Sequence, residues 1–121
     1  MMRSRPGDLL FREDRSYAST MTYAHMGSLE VRAGHLDEVV AILTRSNPDM
    51  AEAGCLSYEV GADPERPDTV CVAELWESAE AHRESLQLPS VRAAIAEAMP
   101  LLTGQMDGRG FDVTGSPLRP D

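Results

Sequence analysis

The stretch that decides the fold is residues 54–76, GCLSYEVGADPERPDTVCVAELW. Its second half, Thr69 to Trp76, alternates strictly. Val70, Val72, Glu74 and Trp76 fall on one face and Cys71, Ala73 and Leu75 on the other, the period of a β-strand. Ala62 to Asp68 is polar and carries two prolines, so it reads as a turn. The first half, CLSYEV, reads as the outgoing strand of a hairpin, with Leu56, Tyr58 and Val60 on one face.

Outward from this hairpin the elements follow in a regular order. Upstream, Met21 to Arg32 reads as a strand. Gly34 opens a helix whose Leu36, Val39, Val40 and Leu43 recur at i, i+3, i+4 and i+7. Asn47-Pro48 is expected to end it. Downstream, Ser78 is an N-cap for a helix with Glu80 in its first turn. Leu88-Pro89-Ser90 breaks that helix and starts another, striped by Val91, Ala94, Ile95 and Ala98 and stopped at Pro100. Gln105 to Thr114 is expected to be a weak last strand, loosened by Gly108 and Gly110. The sum is β-α-β-β-α-β, a ferredoxin-like α+β sandwich. With helices on one sheet face, the other face is expected to be covered by a second copy, giving a homodimer packed through its sheet faces.

Composition narrows the function. Eleven basic against twenty acidic residues give a net charge of −9, which opposes binding to phosphate backbones. No apolar run reaches the roughly 18 residues needed to span a bilayer. The chain has no lysine, which excludes Schiff-base chemistry, a pyridoxal phosphate aldimine and a P-loop lysine. Cys55 and Cys71 are too few for a disulfide scaffold, and the hairpin holds them far apart, so both are expected to be reduced, as in the cytoplasm. Residues 1–20 lack periodicity and are expected to be a flexible extension, leaving a domain over 21–114 and a polar tail over 115–121.

Gly54 to Leu102 resembles the antibiotic biosynthesis monooxygenase domain. The resemblance rests on Ala53-Gly54-Cys55 followed by Tyr58, on Glu74 two residues before Trp76, and on Ser78-x-Glu80-Ala81-His82-x-x-Ser85-Leu86. Val31-Arg-Ala-Gly34 and Asp37-Glu38 extend it over residues 22 to 114. It implies a dimeric α/β barrel with one cleft per subunit between sheet and helices. Members include oxygenases that act on quinols, anthrones and related phenolic polyketides without flavin, haem or metal. Others degrade haem, and some isomerise small phosphorylated metabolites. The haem-degrading members carry an asparagine on strand one and a histidine further along the helix. Those places fall here near Gly27 and Leu86, which cannot do that work.

His82 is the candidate base. It shares a helix face with Ala79 and Leu86 and so points inward, either as a hydrogen-bonded structural residue or as a proton acceptor of near-neutral pKa. Trp76 either walls the cleft or fills core. Tyr58 is a hydrogen-bond donor to a bound carbonyl if the hairpin register puts it on the Trp76 face, which a one-residue slip would reverse. His25, Glu74 and Leu86 are expected to line the substrate cleft, Glu74 either orienting a polar partner or pairing across a dimer. His35 is expected to be solvated. The three histidines look scattered and form no metal-binding motif, so neither metal nor cofactor is expected. An anionic ligand would need an arginine, for which Arg83 and Arg92 are candidates. The expected activity is cofactor-independent oxidation of a small aromatic phenol by O2. The alternatives are a non-catalytic ligand-binding dimer and an isomerase of a small carbonyl metabolite.

Overall fold

The computed structural model describes residues 21–119, and the expected extension over 1–20 lies outside the described residues. Four strands, β1 (Tyr23–Val31), β2 (Cys55–Ala62), β3 (Thr69–Trp76) and β4 (Leu102–Asp112), form one antiparallel sheet in the order β2-β3-β1-β4. Helices α1 (Leu36–Leu43) and α2 (Pro48–Glu52) follow β1. Helices α3 (Ala79–Ser85) and α4 (Pro89–Ala98) follow β3, and a 3-10 turn over Met99–Leu101 leads into β4. This is the expected β-α-β-β-α-β order of a ferredoxin-like α+β fold.

Local chemistry sets the boundaries. The Ser78 hydroxyl accepts the Ala81 amide at 3.0 Å, capping α3, an arrangement worth about 1 kcal/mol. Pro89 occupies the first turn of α4, where its missing N–H costs nothing, and Leu88 before it is extended. Pro48 acts the same way. It does not simply stop α1 but sits in the first turn of the short helix α2, which the sequence reading left out.

The inner sheet face is graded along its strands. At one end Val31, Val39, Val70 and Leu102 form the buried core, with Leu29, Val60 and Val72 packed against it. At the other end the β1–β3 register sets Tyr23 opposite Trp76 and His25 opposite Glu74, while β2–β3 sets Tyr58 opposite Glu74. Hydrophobic burial holds one end of the sandwich, and the other end is left to polar and aromatic side chains.

Two features differ from the sequence reading. A bulge between Cys55 and Ser57 makes Leu56 an extra residue, so it is 51% exposed instead of sharing the Tyr58–Val60 face. β4 is not weak: with 11 residues it is the longest strand, and its glycines make room instead of loosening it. Gly108 and Gly110 pair with Gly27 and His25 on β1, and the rings of His25 and Tyr23 lie over them. A Cβ at Gly108 would stand 3.3 Å from His25 Cε1, and one at Gly110 would overlap the Tyr23 hydroxyl and ring edge. Gly110→Ala is therefore expected to destabilise by about 1–3 kcal/mol, and Tyr23→Ala in the same chain should recover part of the loss. Urea unfolding of the single and double variants checks this; additive losses would contradict the overlap.

The outer sheet face carries Met26 and Phe111, each 53% exposed. It is less uniformly apolar than a bare sheet face need be, because Glu59 and Arg109 also stand on it, across from Ala73 and Met26. No described helix is long and apolar enough to cross a membrane.

Candidate functional site

A cavity of about 490 Å³ opens between the sheet and the helices, lined mainly by apolar atoms. Tyr58 from β2, Glu74 and Trp76 from β3, and His82 and Leu86 from α3 and its C-cap all line it. A second cavity of about 330 Å³ shares Leu43, Tyr58, Glu74 and Ile95 with the first and adds His25 and Gly108. His25 thus stands next to the main cavity, on its β1 side.

The polar heart of the site is Glu74. Because residues two apart on a strand share a face, the Trp76 indole reaches back along β3 and donates Nε1–H to Glu74 Oε1 at 2.8 Å. Trp76 is only 1% exposed and yet reaches the cavity wall, so it both fills core and shapes the cleft. His82 Nε2 lies 3.7 Å from the same oxygen, and His25 Nδ1 lies 3.5 Å from Glu74 Oε2. The His25 and His82 rings stack with centroids 4.7 Å apart, Trp76 meets His82 edge-on at 5.6 Å, and the Tyr23 ring, tilted, lies 5.6 Å from His82. The expectation of scattered histidines therefore holds for His35, an exposed residue bonded to Glu38 at 2.6 Å, and fails for His25 and His82. The β1–β3 pairing brings these two together from 57 residues apart.

Burial acts on each titratable group here. Burial holds the His82 imidazole below its ordinary pKa, the Glu74 charge partly opposes this, and neighbouring His25 adds to the lowering. The imidazole is thus neutral, with a free lone pair, at neutral pH. Burial, then the Glu74 and Cys55 charges, push the Tyr58 phenol up to about 12. It stays a hydrogen-bond donor across the physiological range. In a spectrophotometric titration, the wild-type minus Tyr58→Phe difference should show a phenolate midpoint near 12; a midpoint at the ordinary value of about 10 would contradict this environment.

Cys55 and Cys71 are both free thiols. Cys55 shares the surroundings of Tyr58, and burial and the Glu74 charge raise its thiol above the ordinary value.

The arginine expectation needs correction. Arg83 and Arg92 are exposed and neither lines the cavity. The arginine on the rim is Arg45, and Glu97 already holds it in a two-pronged pair at 2.8 and 2.7 Å. Sequence reasoning also missed Asn47, which lines the cavity and accepts a bond from Ser90 Oγ at 3.2 Å. Its place next to Pro48 read only as a helix stop.

The structure is a ferredoxin-like α+β sandwich with a mainly apolar cleft, walled by tryptophan, tyrosine and histidine, between sheet and helices. The chain belongs to the antibiotic biosynthesis monooxygenase family, whose model matches residues 22–97. A crystal structure from Chloroflexus aurantiacus J-10-fl, provisionally named an antibiotic biosynthesis monooxygenase, is 36% identical with a TM-score of 0.68, covering 78% of this chain and 95% of that one. SnoaB from Streptomyces nogalater, a cofactor-independent oxygenase solved in a mutant form, is 13% identical with a TM-score of 0.65, covering 79% of this chain and 96% of that one, and shares the fold. A Bacteroides thetaiotaomicron protein of unknown function, 14% identical with a TM-score of 0.67, covers 78% of this chain and 99% of that one. No curated protein matches the sequence.

Proposed function

We propose that this chain is a cofactor-independent monooxygenase that oxidises a small quinol- or anthrone-type phenol with O2. The observation that carries the reading is His82, a neutral imidazole facing an apolar cavity about 490 Å³ in volume. Membership of the monooxygenase family supports it.

The chemistry needs only what the site holds. His82 takes a proton from the bound phenol or its activated methylene, leaving an electron-rich anion. The anion passes one electron to O2, and substrate radical and superoxide combine at carbon. The resulting peroxide takes a proton back from the His82 imidazolium. Loss of water, with the second methylene proton, leaves a carbonyl. The balance is CH2 + O2 → C=O + H2O, with all four electrons supplied by the substrate and no external reductant. Tyr58 donates to the substrate oxygen, Trp76 and Leu86 hold the ring, and the mainly apolar lining limits water around the peroxide. Glu74 holds Trp76 and faces the imidazolium as it forms.

Oxygen uptake by chelator-treated protein, with a panel of quinols and anthrones, tests the reading. Uptake above the autoxidation rate supports it. Turnover without oxygen consumption would give the site to an isomerase of a carbonyl metabolite, and tight binding without turnover would leave a ligand-binding module.

The working unit on this reading is a cytoplasmic homodimer closed through the outer sheet faces around Met26 and Phe111. Light scattering should give twice the chain mass, and Met26→Asp with Phe111→Asp should return it to the monomer. A wild-type monomer would contradict this.

A further inference from the structure

We propose that His25, Glu74 and His82 form a binding site for a zinc-class divalent ion. One ligand atom from each residue lies within 4.8 Å of the other two. In a tetrahedral zinc site, with metal–ligand bonds of about 2.0–2.2 Å, neighbouring donor atoms stand roughly 3.3–3.5 Å apart. His25 Nδ1 and Glu74 Oε2 are 3.5 Å apart, and His82 Nε2 and Glu74 Oε1 are 3.7 Å apart. These two approaches use different oxygens of Glu74, and all three donors lie within 4.8 Å, so a turn of the carboxylate and side-chain movement of about an ångström would bring them onto one ion.

Hydrogen bonding explains the cluster less well. His25 Nδ1 is buried and has no hydrogen-bond partner among the described residues. Its 3.5 Å approach to Glu74 is an ion-pair distance without hydrogen-bond geometry. A buried polar atom left in that state is unfavourable, and a cation between it and the carboxylate removes the penalty. The Trp76 indole donates to Glu74 Oε1 at 2.8 Å, the kind of outer partner that fixes a ligating carboxylate. Glu74 and His82 also line the main cavity, so a fourth coordination position faces solvent or a small molecule.

The donor set chooses the ion. Two imidazoles and one carboxylate suit zinc and its first-row neighbours, whereas calcium and magnesium need an all-oxygen shell. His35 and Glu38, 2.6 Å apart on the surface, offer two donors and serve as the control.

The test is calorimetric titration of untagged, chelator-treated full chain with Zn2+, alongside the visible spectrum of the Co2+ form. The expected result is one ion per chain and the strong bands of tetrahedral Co2+. Removing an outer partner of a metal site costs about 10–100-fold in affinity, so losing a ligand should cost more. His25→Ala and Glu74→Gln are expected to weaken Zn2+ by more than about 100-fold, and His35→Ala to leave it unchanged. Glu74→Gln keeps the side-chain shape, so its metal-free melting curve shows whether the fold survives. No binding, binding equally weakened by His35→Ala, binding untouched by Glu74→Gln, or an octahedral Co2+ spectrum would each overturn the site.

Binding does not depend on the oxygenase reading. An ion here would take the His82 lone pair, so zinc is expected to inhibit oxygen uptake and chelator to restore it; this arm alone rests on that reading.

Discussion

His82→Ala is expected to lower the rate of quinol or anthrone oxidation by about 10²–10⁴-fold, the range for losing a positioned general base. The fold should survive the change. Helix α3 keeps its Ser78 cap, and the buried Ser85 hydroxyl bonds the His82 carbonyl, at 2.6 Å, not its ring. What disappears is the lone pair facing the cavity, together with one partner of the Glu74 charge. Free imidazole can enter the vacated space between Tyr23 and Trp76, so partial rescue by added imidazole is expected. Measuring kcat beside the melting temperature separates the two roles. A loss below about tenfold with an unchanged melting curve would remove His82 from the chemistry.

Trp76→Ala is expected to be the most damaging single substitution for stability, at about 3–5 kcal/mol. The side chain is 1% exposed, sits where β3 meets α3, and closes the sheet end opposite the aliphatic core. Truncation opens a void beside an existing cavity, and it also strips Glu74 of its 2.8 Å indole donor. In a domain of this size the melting temperature should fall by more than about 10 °C. Trp76→Phe keeps most of the volume and removes the donor, so it should cost about 1–3 kcal/mol through Glu74 alone. Denaturant unfolding of both variants checks the order. Equal losses would mean that the hydrogen bond carries the whole effect; a negligible loss in Trp76→Ala would mean that the indole is only a wall of the cavity.

Much of the fold is legible in the sequence because its signals are local. The alternation of Thr69 to Trp76 gives both strand limits and the side on which Glu74 and Trp76 stand. Ser78 caps the helix its position announces. The lining of the cavity is legible in part: Tyr58, Glu74, Trp76 and His82 meet there because each lies on the inner face of its own element, and Leu86 joins them from the C-cap of α3.

What the sequence hid depends on partners far along the chain. Gly108 and Gly110 look like strand breakers until Tyr23 and His25 are laid across them, which only the β1–β4 register does. The pairing of His25 with His82 needs β1 beside β3, and no spacing rule carries that. The bulge at Leu56 breaks alternation without a glycine or proline to mark it. Arg45, and not Arg83 or Arg92, reaches the cavity because of where α1 ends over α4, and Glu97 then occupies it.

On the proposed function, the substrate itself reduces O2 inside this cavity. The most direct measurement is turnover of an anthrone or quinol under isotopically heavy O2, with chelator present and mass spectrometry on product and water. One heavy atom is expected in the product carbonyl and the other in water, with both lost in His82→Ala. Product oxygen drawn from unlabelled water, or labelling that persists at full rate without His82, would contradict it.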